Sequence, residues 1–247
     1  MTDNIDIEET QEAPESTQVE KKPGAGGMFV DIIACVIIPT LILKKLSGDD
    51  MLGPSNALIL ALTLPFLIGL FGFIKERKIS FIPALGFISI LLTGGIGLLQ
   101  LPKEYIAYKE ALVPGLIALA AIVSIYTKHP FIRVFIYNDA LVDTDKVNAR
   151  LEQAGKTEEF DKMMTNATWI MTSSFILSSI LNYALAKWIV VAESGTAEFN
   201  DQLGTMALWS YPVIALPCSV FTIYALYYVM KNIKQLTGME LEDVFRG

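Results

Sequence analysis

Lys109 and Glu110 are the neighbours best placed to do chemistry in this chain, an ammonium and a carboxylate at the mouth of an apolar run over residues 111–127. A carboxylate entering hydrocarbon is costly, so it faces a bundle interior, pairs with a cation or reaches the interface. Inside a bundle it could hold a ligand or carry a proton. In the first turn of a helix it would simply be an acid favoured by the helix dipole, with no function required. Glu110, Pro114, Ala118 and Ala121 share one helical face, so the carboxylate tops a stripe of small residues. Thr93, Gly94 and Gly95 come next: they are expected to loosen the far end of the preceding run, and irregular backbone at membrane depth is tolerated mainly where it lines a cavity or is covered by protein. Asn182 lies on one face with Ser174 and Ser178 in a later run, where bonding between helices is the plainer reading. Glu110, Lys109, Thr93, Gly94, Gly95 and Asn182 are thus the candidate polar pocket, with Asp31 and Lys187 as further charges within apolar runs. Lys187 sits about 140° around the helix from Asn182 at about 100° per residue, which predicts that it snorkels instead of sharing a site with Asn182.

No metal ligand set accompanies these residues. Cys35 and Cys218 fall in separate apolar runs, which excludes a CxxC site, and the lone His129 reads as an ordinary interfacial histidine at a span end beside Pro130. HExxH and GxSxG motifs are absent and no paired carboxylates have a telling spacing, so no catalytic residues, no cofactor and no enzymatic activity are expected.

The elements that must position the pocket are membrane spans. The chain of 247 residues is 53% apolar and 18% charged, and its mean hydropathy is +0.47, a combination foreign to soluble domains. The predicted fold is an all-α polytopic membrane helical bundle with six transmembrane helices, near residues 28–46, 57–74, 81–100, 111–127, 169–188 and 206–230. The uncharged third run carries Gly86, Ser89, Thr93 and Gly97 three or four apart, a stripe suited to close helix packing. Pro39, Pro65, Pro83 and Pro114 interrupt the first four spans and predict kinks. Trp169 and Trp188 bracket the fifth, nineteen helical steps or about 29 Å apart, as two halves of an aromatic belt would be.

By organisation, residues 1–27 form an acidic cytoplasmic tail with seven acids before Lys21, too polar to fold alone and unlike a signal peptide. Residues 28–127 carry the first four spans. Residues 128–168 form a cytoplasmic connection with an interfacial segment around Phe131 and Phe135, a helix over residues 140–153 stopped at Gly155, and another short helix starting at Thr157. Residues 169–230 carry the last two spans, and residues 231–247 form a C-terminal tail. The tails, the turn at residues 75–78 and the long connection hold 14 of the 19 Lys and Arg, whereas the opposite loops hold Lys44, Lys45, Lys103 and Lys109. The positive-inside rule therefore places both termini in the cytoplasm and the candidate pocket toward the outer half of the bilayer.

Residues 102–111, Pro-Lys-Glu-Tyr-Ile-Ala-Tyr-Lys-Glu-Ala, with Trp169 and Asn182 in a later span, resemble the intracellular septation protein A family of bacterial inner-membrane proteins. In that family a Lys-Pro-Thr motif opens a span; here Lys109 stands at the lysine and Glu110-Ala111 replaces Pro-Thr. The acidic tail and the long connection are extra. The resemblance implies a multi-pass inner-membrane protein serving envelope maintenance and division through partners, without a defined reaction. Kinked spans in two groups of three are also compatible with a small-solute or proton-coupled transporter, although the two halves share no convincing sequence identity. The expected partners are the lipid bilayer, envelope or division proteins, a small solute and a second copy of the chain. Nucleic acid is not among them, because the chain lacks a basic footprint.

Overall fold

A computed structural model describes residues 33–76, 81–127, 130–138 and 142–244. The expectations for the acidic tail, for Asp31 and for His129 lie outside those residues. Among the described residues the fold is helical throughout, without strands. A π-helical turn (Ile33–Ile37) leads into α1 (Ile38–Lys45), followed by α2 (Gly53–Glu76), α3 (Phe81–Leu98) and α4 (Glu104–Ile125). After α5 (Phe131–Phe135) and α6 (Thr144–Ala154) comes α7 (Thr157–Ile189). Then α8 (Ala197–Ser210) runs through a second π-helical turn (Tyr211–Ala215) into α9 (Leu216–Thr237), and α10 (Leu241–Val244) follows.

Four of these helices are long and apolar enough to cross a membrane: Gly53–Phe71, Glu104–Ile125, Thr157–Ile189 and Ala197–Thr237. That is the signature of a membrane protein. Three boundaries differ from the expectation. The fourth span begins at Glu104, ahead of residue 111, because one turn of chain after Pro102 suffices to start it. The short helix expected at Thr157 and the fifth span are a single helix of 33 residues, about 50 Å long. No Gly or Pro occurs anywhere in that stretch, so nothing ends it between the aqueous and apolar parts. The sixth span starts at Ala197, where the Thr196 hydroxyl accepts from Phe199 N at 3.1 Å. Thr93, Gly94 and Gly95 do not loosen α3, which stays helical to Leu98; the break comes at the turn beyond it, with Gln100 at φ 50°.

Helix α7 is the central post. Helix α4 packs along one side, where the Ser179 hydroxyl donates to the Ala111 carbonyl at 2.8 Å and Gly115 lets the helices meet: a Cβ there would lie 3.3 Å from that hydroxyl oxygen. Helix α9 packs along the other, where Ser174 donates to the Cys218 carbonyl at 3.3 Å. The bonding expected of Ser174 thus reaches across helices, whereas Asn182 donates to the Ser178 carbonyl of its own helix. Helices α1, α2 and α8 pack on one another, and α3 bridges α2 to α4.

Two apolar cores occupy opposite ends. One binds α5, α6 and α10 to the first third of α7 and the last third of α9, around Val147, Leu151, Phe160, Met164, Val229 and Ile233. It is a folded cap. Asp143 starts α6 by accepting from Lys146 N, and Gly155 ends it at φ 65°. Beside the cap, Trp169 and Tyr224 are exposed, and Asn166 donates to the Tyr228 hydroxyl at 3.4 Å, a level suited to the membrane interface. The other core gathers Leu58, Ile96, Ile106, Phe199 and Leu203 beneath the loops at residues 46–52, 99–103 and 190–196. Polar ties lock those loops: Asn200 donates to Ser47 Oγ at 3.0 Å and to the Pro54 carbonyl at 2.7 Å, and the Gln202 side-chain oxygen accepts from Val191 N and Ala192 N.

Candidate functional site

Beneath the loop-end core, a cavity of about 600 Å³ opens between α1, α2, α3, α4 and α8. Its walls are mostly aliphatic: Leu58, Leu62, Ile68, Ile90, Leu203 and Met206. Among the described residues that line it, Glu110 is the only charged one, and Thr40, Thr93, Ser210 and Tyr211 add hydroxyls. The size suits a drug-sized molecule, for which pockets of about 300–1,000 Å³ are usual.

Each polar group has a local reason to be there. Because α4 starts at Glu104, Glu110 stands beyond the first turn, so the helix N-terminus does not account for its position. Its carboxylate lies 2.6 Å from Lys109 Nζ, and the lysine is buried at 7% exposure while the acid keeps 24%. Lys109 also donates to Ser89 Oγ at 3.2 Å, and one turn further along α3 the Thr93 hydroxyl donates to the Ser89 carbonyl at 3.0 Å. Glu110, Lys109, Ser89 and Thr93 therefore form one connected polar strip across α3 and α4, at one edge of an aliphatic chamber. The Ser210 hydroxyl on the facing wall donates to the Met206 carbonyl at 2.8 Å, so its proton too is directed into its own helix.

The candidate residues divide as follows. The structure brings Glu110, Lys109 and Thr93 together. Gly94 and Gly95 instead face a shallow apolar groove between α2 and α3 beside Ile59, Phe66 and Leu98. Asn182 is turned onto Ser178 and does not line the cavity. Lys187 is exposed near the end of α7, beside Lys103 and Glu104 and away from the cavity. Of the proposed seam, Ser89 and Thr93 serve the polar strip, and Gly97 packs: a Cβ there would fall 2.3 Å from Leu58 Cδ2.

The sequence reading missed the walls contributed by α1 and α8. Their signal was proline. Each π-helical turn is followed by a proline, Pro39 or Pro217, whose ring would strike the carbonyl four residues earlier, that of Cys35 or Val213. Those carbonyls sit at the middle of the two π-helical turns, which widen where an ordinary α-turn would clash. Cys35, Val36 and Tyr211 from the widened turns all line the cavity. Outside it, at the loop end, Lys103 Nζ lies 2.8 Å from the Glu193 carboxylate, and that hydrogen bond holds the ammonium above its usual range.

The described residues thus form a helical fold with four helices long and apolar enough to cross a membrane and a partly open apolar cavity edged by a Lys-Glu ion pair. No protein-family model, no curated protein and no solved structure matches the chain.

Proposed function

We propose that the protein is a non-enzymatic, six-span bacterial inner-membrane protein with cytoplasmic termini that binds a small amphipathic molecule in its α1–α2–α8 cavity, as a receptor or carrier for it. Helices α1 and α3 would supply the two crossings beyond the four long helices, and the distribution of Lys and Arg supports the orientation. The carrying observation is the composition of the chamber: about 600 Å³ walled by aliphatic side chains, with one carboxylate already neutralised by Lys109. A hydrophilic solute would leave most of its polar groups unpaired against such walls, at a cost of about 1–3 kcal/mol for each. An apolar body with one polar end would not.

The test uses purified, reconstituted full-length protein. A Cβ at Gly69, which lines the cavity, would meet no heavy atom within 4 Å, so Gly69→Leu adds a bulky side chain at the cavity wall from a Cβ that itself meets no clash. Lipophilic amphiphiles should raise the melting temperature of the wild type and not of Gly69→Leu. Stabilisation by polar metabolites alone would instead support a hydrophilic or proton-coupled carrier, and Glu110→Gln would then show whether that residue couples protons to uptake.

A second reading has its own support. The cap packs α5, α6 and α10 against the ends of two of the long helices around Phe160 and Val229, and a protein partner in envelope or division machinery could engage it. The likeness of Lys109, Trp169 and Asn182 to the septation protein A pattern points the same way. Crosslinking in intact membranes at native expression tests it, and recovery of no protein partner would end it.

A further inference from the structure

We infer that the cavity selects a neutral molecule whose polar end is a hydrogen-bond donor, such as a long-chain or isoprenoid alcohol, over amphiphiles with charged or donor-free ends. The inference rests on the binding reading above and adds the headgroup. Around Glu110 the polar strip offers acceptors, and the Thr93 proton is already engaged. The Thr93 hydroxyl donates to the Ser89 carbonyl, Lys109 Nζ donates to Ser89 Oγ and pairs with Glu110 Oε1, and Ser210 donates to Met206 on the opposite wall. What remains toward the cavity from α3 and α4 is the second carboxylate oxygen of Glu110 and hydroxyl lone pairs, while Thr40 and Tyr211 bring two further hydroxyls from the other walls, so a ligand hydroxyl can both donate to Glu110 and accept from them. A hydroxyl on the ligand can donate to these oxygens. An ether has nothing to donate.

Charge decides between donors. Glu110 and Lys109 together are neutral at 2.6 Å, with Lys109 nearly buried. An incoming ammonium would leave a net positive charge in an aliphatic chamber, and an incoming carboxylate would leave a net negative one beside Glu110; both are costly at low dielectric. A neutral hydroxyl adds no charge. Removing the acid should therefore change the preference in a defined direction. In Glu110→Gln the lysine is left as an uncompensated cation, and the favoured ligand should become the carboxylic acid.

The experiment compares four amphiphiles of identical chain length, the n-alkanol, its methyl ether, the alkylamine and the carboxylic acid, binding to full-length protein in nanodiscs, by native mass spectrometry and by competition. The alkanol should bind wild type about tenfold more tightly than the ether, the gap expected of one good hydrogen bond, and more tightly than the amine or the acid. In Glu110→Gln the acid should become the tightest of the four. Thr93→Val, which keeps the side-chain shape, supplies a second variant should Glu110→Gln not fold: it should weaken the alkanol a few-fold and leave the ether unchanged. Equal binding of alkanol and ether, or tightest wild-type binding by the amine, overturns the headgroup inference while leaving the cavity reading intact. Binding by none of the four overturns both.

Discussion

Glu110 Oε1 and Lys109 Nζ lie 2.6 Å apart although their residues are sequence neighbours, which on a helix point about 100° away from each other. The contact exists because the flexible lysine stem folds back toward the acid while its ammonium also reaches Ser89 on α3. Breaking such a buried pair leaves one charge uncompensated, at a cost of about 3–5 kcal/mol. Since Glu110 keeps 24% exposure, Lys109→Met should destabilise by the lower end, about 3 kcal/mol. The double variant Lys109→Met/Glu110→Gln, with no charge left, should recover most of that loss. Unfolding free energies in detergent or by steric trapping check both; a double variant no better than Lys109→Met would mean that the pair is not an energetic unit.

Gly97 is where α3 meets α2. An alanine methyl there would collide with Leu58 Cδ2, at 2.3 Å, and sit 3.4 Å from the Phe199 ring. Gly97→Ala should cost about 1–3 kcal/mol by overpacking, despite alanine's better helix propensity. Shortening the opposing side chain should relieve it, so a double-mutant cycle with Leu58→Ala ought to give a favourable coupling energy between the two sites.

The residues that announced themselves in the sequence are those whose chemistry is expensive in a membrane. Glu110 and Lys109 could be singled out because charge at a span entrance needs a partner, and the partner proved to be the neighbouring lysine. The apolar runs of α2, α4, α7 and α9 were legible from hydropathy alone. Helix ends were less so. Signals for starting α4 at Glu104 or α8 at Ala197 are local and polar, and they were outweighed by where the apolar runs begin. Asn182 shows the limit for single polar residues: spacing put it on a plausible face with Ser178, and only packing decided that its amide turns back to its own helix. The contribution of α8 to the cavity is non-local: Pro39 and Pro217 mark two disturbed turns, but which side chains face one another across them, Leu203 and Met206 against α1 and α2, is set by packing alone.

Asn200 fastens the loop at residues 46–52 to α8 through Ser47 Oγ and the Pro54 carbonyl. Asn200→Ala removes both bonds from a side chain that is 1% exposed. The expected loss is about 1–3 kcal/mol for unsatisfied buried groups. The more specific signature is local: hydrogen exchange should accelerate at residues 46–54 while the cap around Phe160 keeps its protection. Uniform acceleration across both ends would contradict a local latch.

Lys103 ties the α3–α4 turn to the α7–α8 loop through Glu193 and the Val191 carbonyl. Its ammonium is held above the ordinary value of 10.5, principally by the Glu193 hydrogen bond. A cation whose folded-state value is raised contributes stability that is fully present below the unfolded value and is lost as pH climbs through the raised one. The melting-temperature difference between wild type and Lys103→Met should accordingly be constant below pH 10.5 and close above it. Because the pair is exposed, the difference should be small and should shrink further in high salt.

Pro39 and Pro217 occupy equivalent positions, each two residues beyond a π-helical turn, and both turns face the cavity. A proline in an α-helix denies an N–H to the carbonyl four residues back and its ring collides with that carbonyl, at about 3 kcal/mol or more. Widening the turn lets the helix continue past the proline, as it does from Ala197 through Tyr211–Ala215 to Thr237. By contrast Pro65 and Pro114 sit inside α2 and α4 without any such turn. Pro217→Ala removes the clash and restores a donor for the Val213 carbonyl, so the turn can tighten into an ordinary α-turn. Tightening would rotate Tyr211 and everything before it, including Leu203 and Met206, relative to α9. The variant should be at least as stable as wild type and yet bind the cavity ligand more weakly, a divergence that a merely damaged helix cannot produce. Pro65→Ala, in a wall without a π-turn, is the control and should leave affinity within a few-fold. Paired measurements of melting temperature and amphiphile affinity decide the matter, and unchanged affinity in Pro217→Ala would show that the widened turn does not set the shape of the chamber.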